Sequence, residues 1–191
     1  MSVITLDVPT VQDKDAWNSF LNLFSMSDGL VILRPTDIAE DEPDGYLYES
    51  EIMAELFEVV DSRPMFVICV VKGPLRGSML FFLAISSLVL ATREATFWFP
   101  DYSQDKMHRV TGITLRKRLT DVVYRRLCLV GDIIDIFEAQ RLGLVDYVGT
   151  EENVENEVSR IIYRNYRNCP VKTEYLLLGC GNGCGNAWMW M

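Results

Sequence analysis

A continuous run of seven apolar residues at positions 65–71 constrains the fold more than any other feature of this sequence. Strands that are apolar on both sides lie inside parallel sheets with helices on both faces, whereas half-exposed strands alternate apolar and polar residues. The run therefore predicts a buried parallel strand and an α/β fold. With 191 residues, the chain is long enough for one such domain with a sizeable core.

A glycine-rich turn follows this run directly. Gly73 and Gly77 interrupt the apolar character, and Ser78 carries a hydroxyl that can cap a helix. The residues after Ser78 are apolar on all sides of a helical projection, which is typical of a completely buried helix. We predict that Ser78 caps a buried helix over 78–86 and that the chain returns as a buried strand over 88–91.

Strands and helices also alternate in the sequence before and after residues 65–91. An acidic loop over 36–45 separates two of these elements, because five carboxylates crowd eight positions and repel one another unless they are solvated. The other predicted elements are strands over 3–6, 30–33 and 95–99, helices beginning near 13 and 52, and a helical apolar stripe of Ile113, Leu119, Val122, Val123 and Leu127.

Charge and hydropathy exclude two classes of partner. Eighteen basic and twenty-seven acidic residues give a net charge of −9, which opposes nucleic acid binding. The longest apolar stretch, over 79–91, is shorter than the roughly 17 residues that a membrane span requires. No basic region precedes an apolar run at the N-terminus, so we expect a cytoplasmic protein without a secretory signal or a membrane anchor.

The cysteines predict neither disulfides nor a metal site. Their number is odd, and two of them lie in strongly apolar runs, where a free thiol behaves as a small hydrophobe. Three cysteines and the single histidine lack the paired spacing that is usual in zinc sites. We expect reduced thiols and no metal or other cofactor at Cys69, Cys128, Cys169, Cys180 and Cys184.

Two segments together resemble the enoyl-CoA hydratase/isomerase, or crotonase, family. Segment 67–100 is similar to the family pattern P-V-I-A-A-V-N-G-x-A-x-G-G-G-x-E-L-A with its later A-x-F-x-x-P-E, and segment 127–148 is similar to L-x-x-T-G-x-x-I-x-A-x-E-A-x-x-x-G-L-V-x-x-V. The matched positions are Gly77, Ala91, Ala95, Phe97 and Pro100 in the first segment, and Gly131, Glu138, Ala139, Gly143, Leu144 and Val145 in the second.

The resemblance implies a crotonase-like α/β spiral of ββα units, shortened at both ends. We expect the crotonase-like domain to occupy residues 1–168 and a Cys/Gly-rich C-terminal tail to occupy residues 169–191. The helices that build the trimer in the family have almost no counterpart in the sequence. We expect a homo-oligomer or a partner subunit, whose geometry the resemblance does not define.

The resemblance also implies an oxyanion hole for an acyl thioester whose carbonyl becomes enolate-like. One backbone N–H would come from Ser78, where the family has a glycine, and the other from the segment near Thr36. Gly77, Phe81 and Phe99 would bind the substrate. The alternative is that the turn before Ser78 is only a strand-to-helix connection with a cap.

The family's hydratases use two carboxylates, and here those positions hold Phe81 and Asp101. Because Phe81 cannot transfer a proton, hydration is not expected. An apolar residue with one acid resembles the Δ3,Δ2-enoyl-CoA isomerases and certain crotonase-like enzymes of secondary metabolism. Asp101 would then be the only base, although an aspartate after a proline also fits an ordinary solvated turn.

The thioester carrier can be free coenzyme A or an acyl carrier protein. The acidic loop over 36–45 opposes the phosphates of coenzyme A. Segment 106–126 carries seven basic residues and one acid, a balance of 7 − 1 = +6, which suits the phosphate of a pantetheine arm or an acidic carrier protein. The same segment fits the solvated face of an amphipathic helix equally well.

Two functions follow from the resemblance. The first is isomerisation or decarboxylation of an acyl thioester through an enolate. The second is that of a catalytically degenerate homologue, a partner or scaffold subunit in a biosynthetic complex, and the substituted helix carboxylate at Phe81 favours it. A peptidase of the wider ClpP/crotonase fold is remote, because no nucleophile motif accompanies His108.

Overall fold

The fold is seen in a computed structural model of the chain. It describes residues 2–9, 14–36, 46–63, 65–99, 109–166 and 171–173. Residues 37–45 of the predicted acidic loop, the candidate base Asp101, His108 and the tail beyond 173 lie outside these ranges. The predictions that fall on them stay predictions.

Two sheets form the framework of the described residues. The strands are β1 Val3–Asp7, β2 Leu30–Arg34, β3 Phe66–Val71, β4 Leu75–Arg76, β5 Leu88–Thr92, β6 Thr96–Trp98, β7 Ile134–Asp135, β8 Tyr147–Gly149 and β9 Val171–Thr173. Six parallel strands make the main sheet in the order β8-β5-β3-β2-β1-β9, and three short strands make a second sheet in the order β4-β6-β7.

Helices cover both faces of the main sheet, as the alternation of elements predicts. The α-helices are α1 Lys14–Met26, α2 Tyr46–Ser62, α3 Leu80–Ile85, α4 Arg109–Arg118, α5 Asp121–Tyr124, α6 Ile136–Arg141 and α7 Glu151–Tyr166. A short 3-10 helix over Gly77–Met79 precedes α3, and a π-helix over Arg125–Val130 continues α5. No described helix is both long and apolar enough to cross a membrane.

Strand β3 lies near the centre of the sheet and confirms the prediction for the apolar run. Successive side chains of a strand point to opposite faces. Val67, Cys69 and Val71 therefore pack into the larger core beneath α1 to α4, while Ile68 and Val70 pack against α7 on the other face. The sheet needs apolar residues on both sides of this strand, which is why the run does not alternate.

The helix after the glycine turn is buried as predicted, but Ser78 does not cap it. The chain first makes the 3-10 helix, whose N-cap position is Arg76 in an extended conformation, and then enters α3 with Met79 at its N-cap. Neither the Arg76 nor the Met79 side chain forms a capping hydrogen bond. The prediction of a Ser78 cap is wrong because the first turn begins one residue earlier, at Gly77.

The apolar stripe of the later helices is also corrected. Ile113 and Val122 are 53% and 66% exposed, so they do not belong to it. The helix breaks at Thr120, which adopts an extended conformation and whose hydroxyl accepts the Val123 N–H at 3.5 Å. The break resets the helical phase, and the buried stripe consists of Leu115, Leu119, Val123 and Leu127.

The C-terminal part of the chain adds one strand to the sheet. Residues 171–173 pair in parallel with β1, through Val3 opposite Val171 and Thr5 opposite Thr173. These three residues belong to the predicted tail by sequence and to the main sheet by pairing. The boundary near residue 168 stays a prediction.

An ion-pair cluster fastens helix α7 to the carboxyl edge of the sheet. Arg34 at the end of β2 donates two hydrogen bonds to the Glu155 carboxylate, at 2.5 and 2.8 Å. Lys72 after β3 lies 3.1 Å from Glu155 and 2.6 Å from Glu151. Hydrogen bonding from Arg34, with a smaller contribution from Lys72, lowers the pKa of Glu155 to about 2.

Replacing Glu155 by Gln should lower the free energy of unfolding by about 1 kcal/mol at pH 7, since solvent screens this half-exposed pair. A carboxylate whose pKa is lowered by folding stabilises the folded state at pH values above its unfolded-state pKa. This stabilisation is lost as the pH falls through the folded-state pKa. The difference from wild type should therefore shrink below about pH 4.5 and vanish near pH 2. Urea titrations across this range measure it, with Glu152→Gln as the control. A difference that is constant with pH would contradict the prediction.

Candidate functional site

The expected site residues follow the carboxyl ends of neighbouring strands. Thr36 comes two residues after β2, and the turn at Gly77 and Ser78 follows β3 and β4. Register places Leu33 of β2 beside Cys69 of β3 in a parallel pair, so both segments leave the sheet at the same edge. Open α/β sheets bind ligands outside the carboxyl ends of their strands. Thr36 is exposed there, whereas Ser78 is buried.

Gly77 gives the turn its backbone conformation. Its φ of +60° lies in the left-handed region, where a residue with a side chain is strained. Gly131 and Gly143 also have positive φ. All three are glycine positions of the family pattern, so the backbone conformation explains why each of these positions favours glycine. At Gly77 the conformation turns the chain from β4 into the 3-10 helix.

Replacing Gly77 by Ala should destabilise the protein by about 1 kcal/mol, purely through the backbone conformation, because an added Cβ would meet no atom within 4 Å. Gly73→Ala is the matched control, since its Cβ also enters open space and no positive φ is involved. Thermal unfolding of the two variants measures the difference. Equal stabilities would mean that the turn tolerates a side chain.

Phe81 is part of the core. It is completely buried on α3 and packs edge to face on Phe82, with ring centroids 5.5 Å apart and an interplanar angle of 82°. Phe82 in turn stacks on Trp17 of α1 at 6.5 Å. At the position that the resemblance matches to a helix carboxylate of the hydratases, this chain therefore has a buried aromatic side chain of the core. It offers no group that can bind or activate a water.

Phe99 lies at the junction of the two matched segments. It is buried just after β6, and its backbone carbonyl oxygen would lie 3.5 Å from a Cβ added at Gly131. Gly131 ends the π-helix in a left-handed conformation, with φ 76° and ψ 27°. The segment that carries Asp101 thus follows a buried corner where Phe99 lies beside Gly131.

Two polar clusters near this framework escaped sequence reasoning. In the first, Arg126 donates to Asp132 at 2.9 Å and to Glu138 at 2.6 Å, which fixes the loop between the π-helix and α6. Glu138 is the glutamate of the second family pattern, and that match was the available signal. Asp135 caps α6 by accepting the backbone N–H groups of Phe137 and Glu138.

The second cluster lies beside Cys69. Arg118 donates to the Ser86 carbonyl at 2.5 Å and to the Asp146 carboxylate at 3.1 Å, and Asp146 also accepts the Val89 N–H at 2.7 Å. Burial raises the pKa of the Cys69 thiol despite the positive charge of Arg118. A thiol kept neutral in this way is structural and not a nucleophile.

The basic segment is therefore divided. Arg118 and Arg126 are used in internal ion pairs, so they do not contribute to a free basic surface. Arg116, Lys117 and Arg125 remain exposed. The expectation of a uniform basic patch is wrong for these two residues, because Arg118 pairs with Asp146, 28 residues away, and Arg126 pairs with Asp132 and Glu138, 6 and 12 residues away.

Among the residues that the structure describes, no group of three or more His, Cys, Asp or Glu side chains could hold a metal ion. Cys69 is the cysteine whose side chain is described, and it is reduced and buried.

No protein-family model matches the sequence, and no curated protein matches it significantly. Solved structures do match it in fold. An enoyl-CoA hydratase/isomerase family protein from Silicibacter pomeroyi gives a TM-score of 0.66 at 16% sequence identity, over 84% of this chain and 77% of that chain. An enoyl-CoA hydratase/isomerase from Marinobacter aquaeolei gives 0.63 at 19% identity, over 86% and 67%. DspI from Pseudomonas aeruginosa gives 0.67 at 16% identity, over 82% and 71%.

These likenesses extend over 82 to 86% of this chain. They confirm the resemblance at the level of the backbone, together with the predicted α/β class. The chain has the fold of the enoyl-CoA hydratase/isomerase, or crotonase, family.

Proposed function

We propose that the protein acts on an acyl thioester through an oxyanion-stabilised enolate. The observation that carries the proposal is the turn at Gly77 and Ser78, which starts a buried helix at the carboxyl edge of a crotonase-type sheet. Solved neighbours with this fold include enzymes named as enoyl-CoA hydratases. An enoyl thioester carried by coenzyme A or by a carrier protein is therefore the first substrate class to test.

The proposed oxyanion hole uses backbone groups. The N–H groups of a helix's first turn point out of its N-terminal end, and Ser78 is in that turn. A serine can replace the family's glycine there because the left-handed conformation falls on Gly77 and not on Ser78. The segment at Thr36 would supply the second donor. Such preorganised donors stabilise the charge that develops on the thioester oxygen.

The proposed reaction is isomerisation or decarboxylation and not hydration. Phe81, which the resemblance matches to a hydratase carboxylate, is buried in the core, so α3 offers no second carboxylate for holding water. One base suffices for moving a proton between two carbons of an enolate. Asp101, which follows the corner at Phe99, is proposed as that base. Its position lies outside the described residues.

A second candidate function is that of a catalytically degenerate partner subunit in a biosynthetic complex. The aromatic core contact of Phe81 favours it, because the position has become structural. In this case the fold is retained for binding another protein and the thioester chemistry is lost. The cytoplasmic location expected from the sequence stays a prediction under both functions.

Assays on two coenzyme A thioesters separate these functions. The purified protein should convert a 3-enoyl-CoA into the conjugated 2-enoyl-CoA, which is followed by its ultraviolet absorbance, and should not hydrate crotonyl-CoA measurably. The same acyl groups attached to an acyl carrier protein test whether that protein, and not coenzyme A, carries the substrate. Hydration at ordinary enzymatic rates would contradict the proposed roles of Phe81 and Asp101. The absence of turnover with either carrier would favour the partner subunit.

A further inference from the structure

We propose that the exposed surface of α2 and of α4 with α5 binds a second copy of this chain across a two-fold axis. The acidic row of one copy would contact the basic row of the other, and the reverse contact would form at the same time. The inference rests on charge complementarity and is independent of the proposed function.

The acidic row runs along α2. Glu51, Glu55, Glu58 and Asp61 follow one another at spacings of four, three and three, which places them on one side of the helix, and all four are exposed. Within the described part of the chain, the three glutamates form no ion pair. Like charges at these spacings destabilise a helix. Within the described residues of an isolated copy, the three glutamates are therefore uncompensated, and Asp61 has only a long ion pair with Lys117.

The basic row lies on α4 and at the junction of α5 with the π-helix. The side chains of Arg116, Lys117 and Arg125 are 65%, 58% and 65% exposed. Their ion pairs within the chain are long: Arg116 and Arg125 lie 3.7 and 3.9 Å from Asp121, and Lys117 lies 4.0 Å from Asp61. Exposed pairs at such distances are weak, so these charges are available to a partner.

The two rows adjoin at a defined point. The Lys117 ammonium lies 4.0 Å from the Asp61 carboxylate and 4.2 Å from the centroid of the Phe57 ring, so the end of α4 contacts the last turns of α2. Ile113, one helical turn before Arg116 and Lys117, is exposed on the same side of α4. The boundary between the rows therefore combines a cation–π contact and an ion pair, with an exposed apolar side chain beside them.

A surface with adjacent acidic and basic halves is complementary to itself after a two-fold rotation about their boundary. This is the requirement of an isologous dimer, in which each contact occurs twice. An acidic carrier protein would match only the basic half and would be repelled by Glu55 and Glu58. Two chains with a net charge of −9 each repel one another at long range, so their association requires this kind of local matching.

The test exchanges the charges of each row separately. One variant carries Glu55→Lys and Glu58→Lys, and the other carries Arg116→Glu and Lys117→Glu. Each variant alone presents like charges across the axis, so sedimentation velocity should show a twofold fall in mass relative to wild type. An equimolar mixture should restore the wild-type mass, because the acidic α2 of one variant then faces the basic α4 of the other.

Two controls accompany the mixing experiment. The variant with Glu94→Lys and Glu152→Lys changes the net charge as much as the α2 variant does, at exposed positions outside the proposed interface. It should leave the mass unchanged. Raising the salt concentration should weaken wild-type assembly, since exposed charges are screened. A monomeric wild type, variants that keep the wild-type mass, or a mixture that stays dissociated would each overturn the proposal. These experiments measure mass and not thioester turnover, so their outcome does not depend on whether the proposed function is correct.

Discussion

Replacing Asp101 by Asn should lower the turnover of an enoyl thioester by about 10² to 10⁴-fold, the usual contribution of a general base. Asparagine keeps the shape of the side chain and removes its ability to accept a proton. The fold should be unaffected, because Asp101 follows a proline in a polar segment of the sequence. The measurements are the initial rate of double-bond isomerisation and the melting temperature of the same preparation.

Asp105→Asn is the matched control, since it removes the same charge four residues later in the same segment. It should leave the rate within a factor of a few. A loss confined to Asp101→Asn assigns the proton transfer to that carboxylate. If both variants turn over at the wild-type rate, the base lies elsewhere. If both lose activity equally, the segment contributes through its charge and not through a single proton acceptor.

The centre of the fold was predictable because its physical requirements are local. A strand covered on both faces needs an uninterrupted apolar run, and 65–71 supplies one. A left-handed turn needs glycine, and the pattern positions Gly77, Gly131 and Gly143 all adopt positive φ. The site elements that depend on these features, namely the turn and the buried helix after it, follow from the sequence.

Interactions between distant parts of the chain were not predictable from local patterns. Arg118 looked like a surface charge, but its partners are the Ser86 carbonyl and Asp146, which lie 32 and 28 residues away in the sequence. The exposure of Val122 depends on a helix break at Thr120, whose hydroxyl caps the next helix. After such a break, the residues of the new helix no longer continue the buried face of the preceding helix. Periodicity assumes one continuous helix and therefore places such residues on the wrong face.

The role of Phe81 illustrates the same limit. Sequence reasoning assigned it to the substrate because of its pattern position, whereas the structure buries it fully in the core, against the ring of Phe82. A core position and a substrate-lining position make different demands. The core position is filled in the free protein, while the lining position borders space that the substrate later occupies.

Replacing Phe81 by Ala distinguishes these roles and should lower the free energy of unfolding by about 3 to 5 kcal/mol, the range for removing a buried ring and leaving a cavity. For a chain of this size the melting temperature should fall by about 10 °C. Phe137→Ala is the control, because Phe137 is exposed on α6 and its removal should change the free energy by less than about 0.5 kcal/mol. Denaturant titrations of both variants give the comparison.

A loss of less than about 1 kcal/mol in Phe81→Ala would contradict the core role and show that the ring borders open space. The large loss has a consequence for the chemistry as well. A carboxylate at position 81 would be desolvated among Phe82 and its neighbours, and burial of a charge without a partner is strongly unfavourable. Phe81→Glu should therefore be less stable than Phe81→Ala and should not gain hydration, since this core would have to be rebuilt before a water could be held beside the thioester.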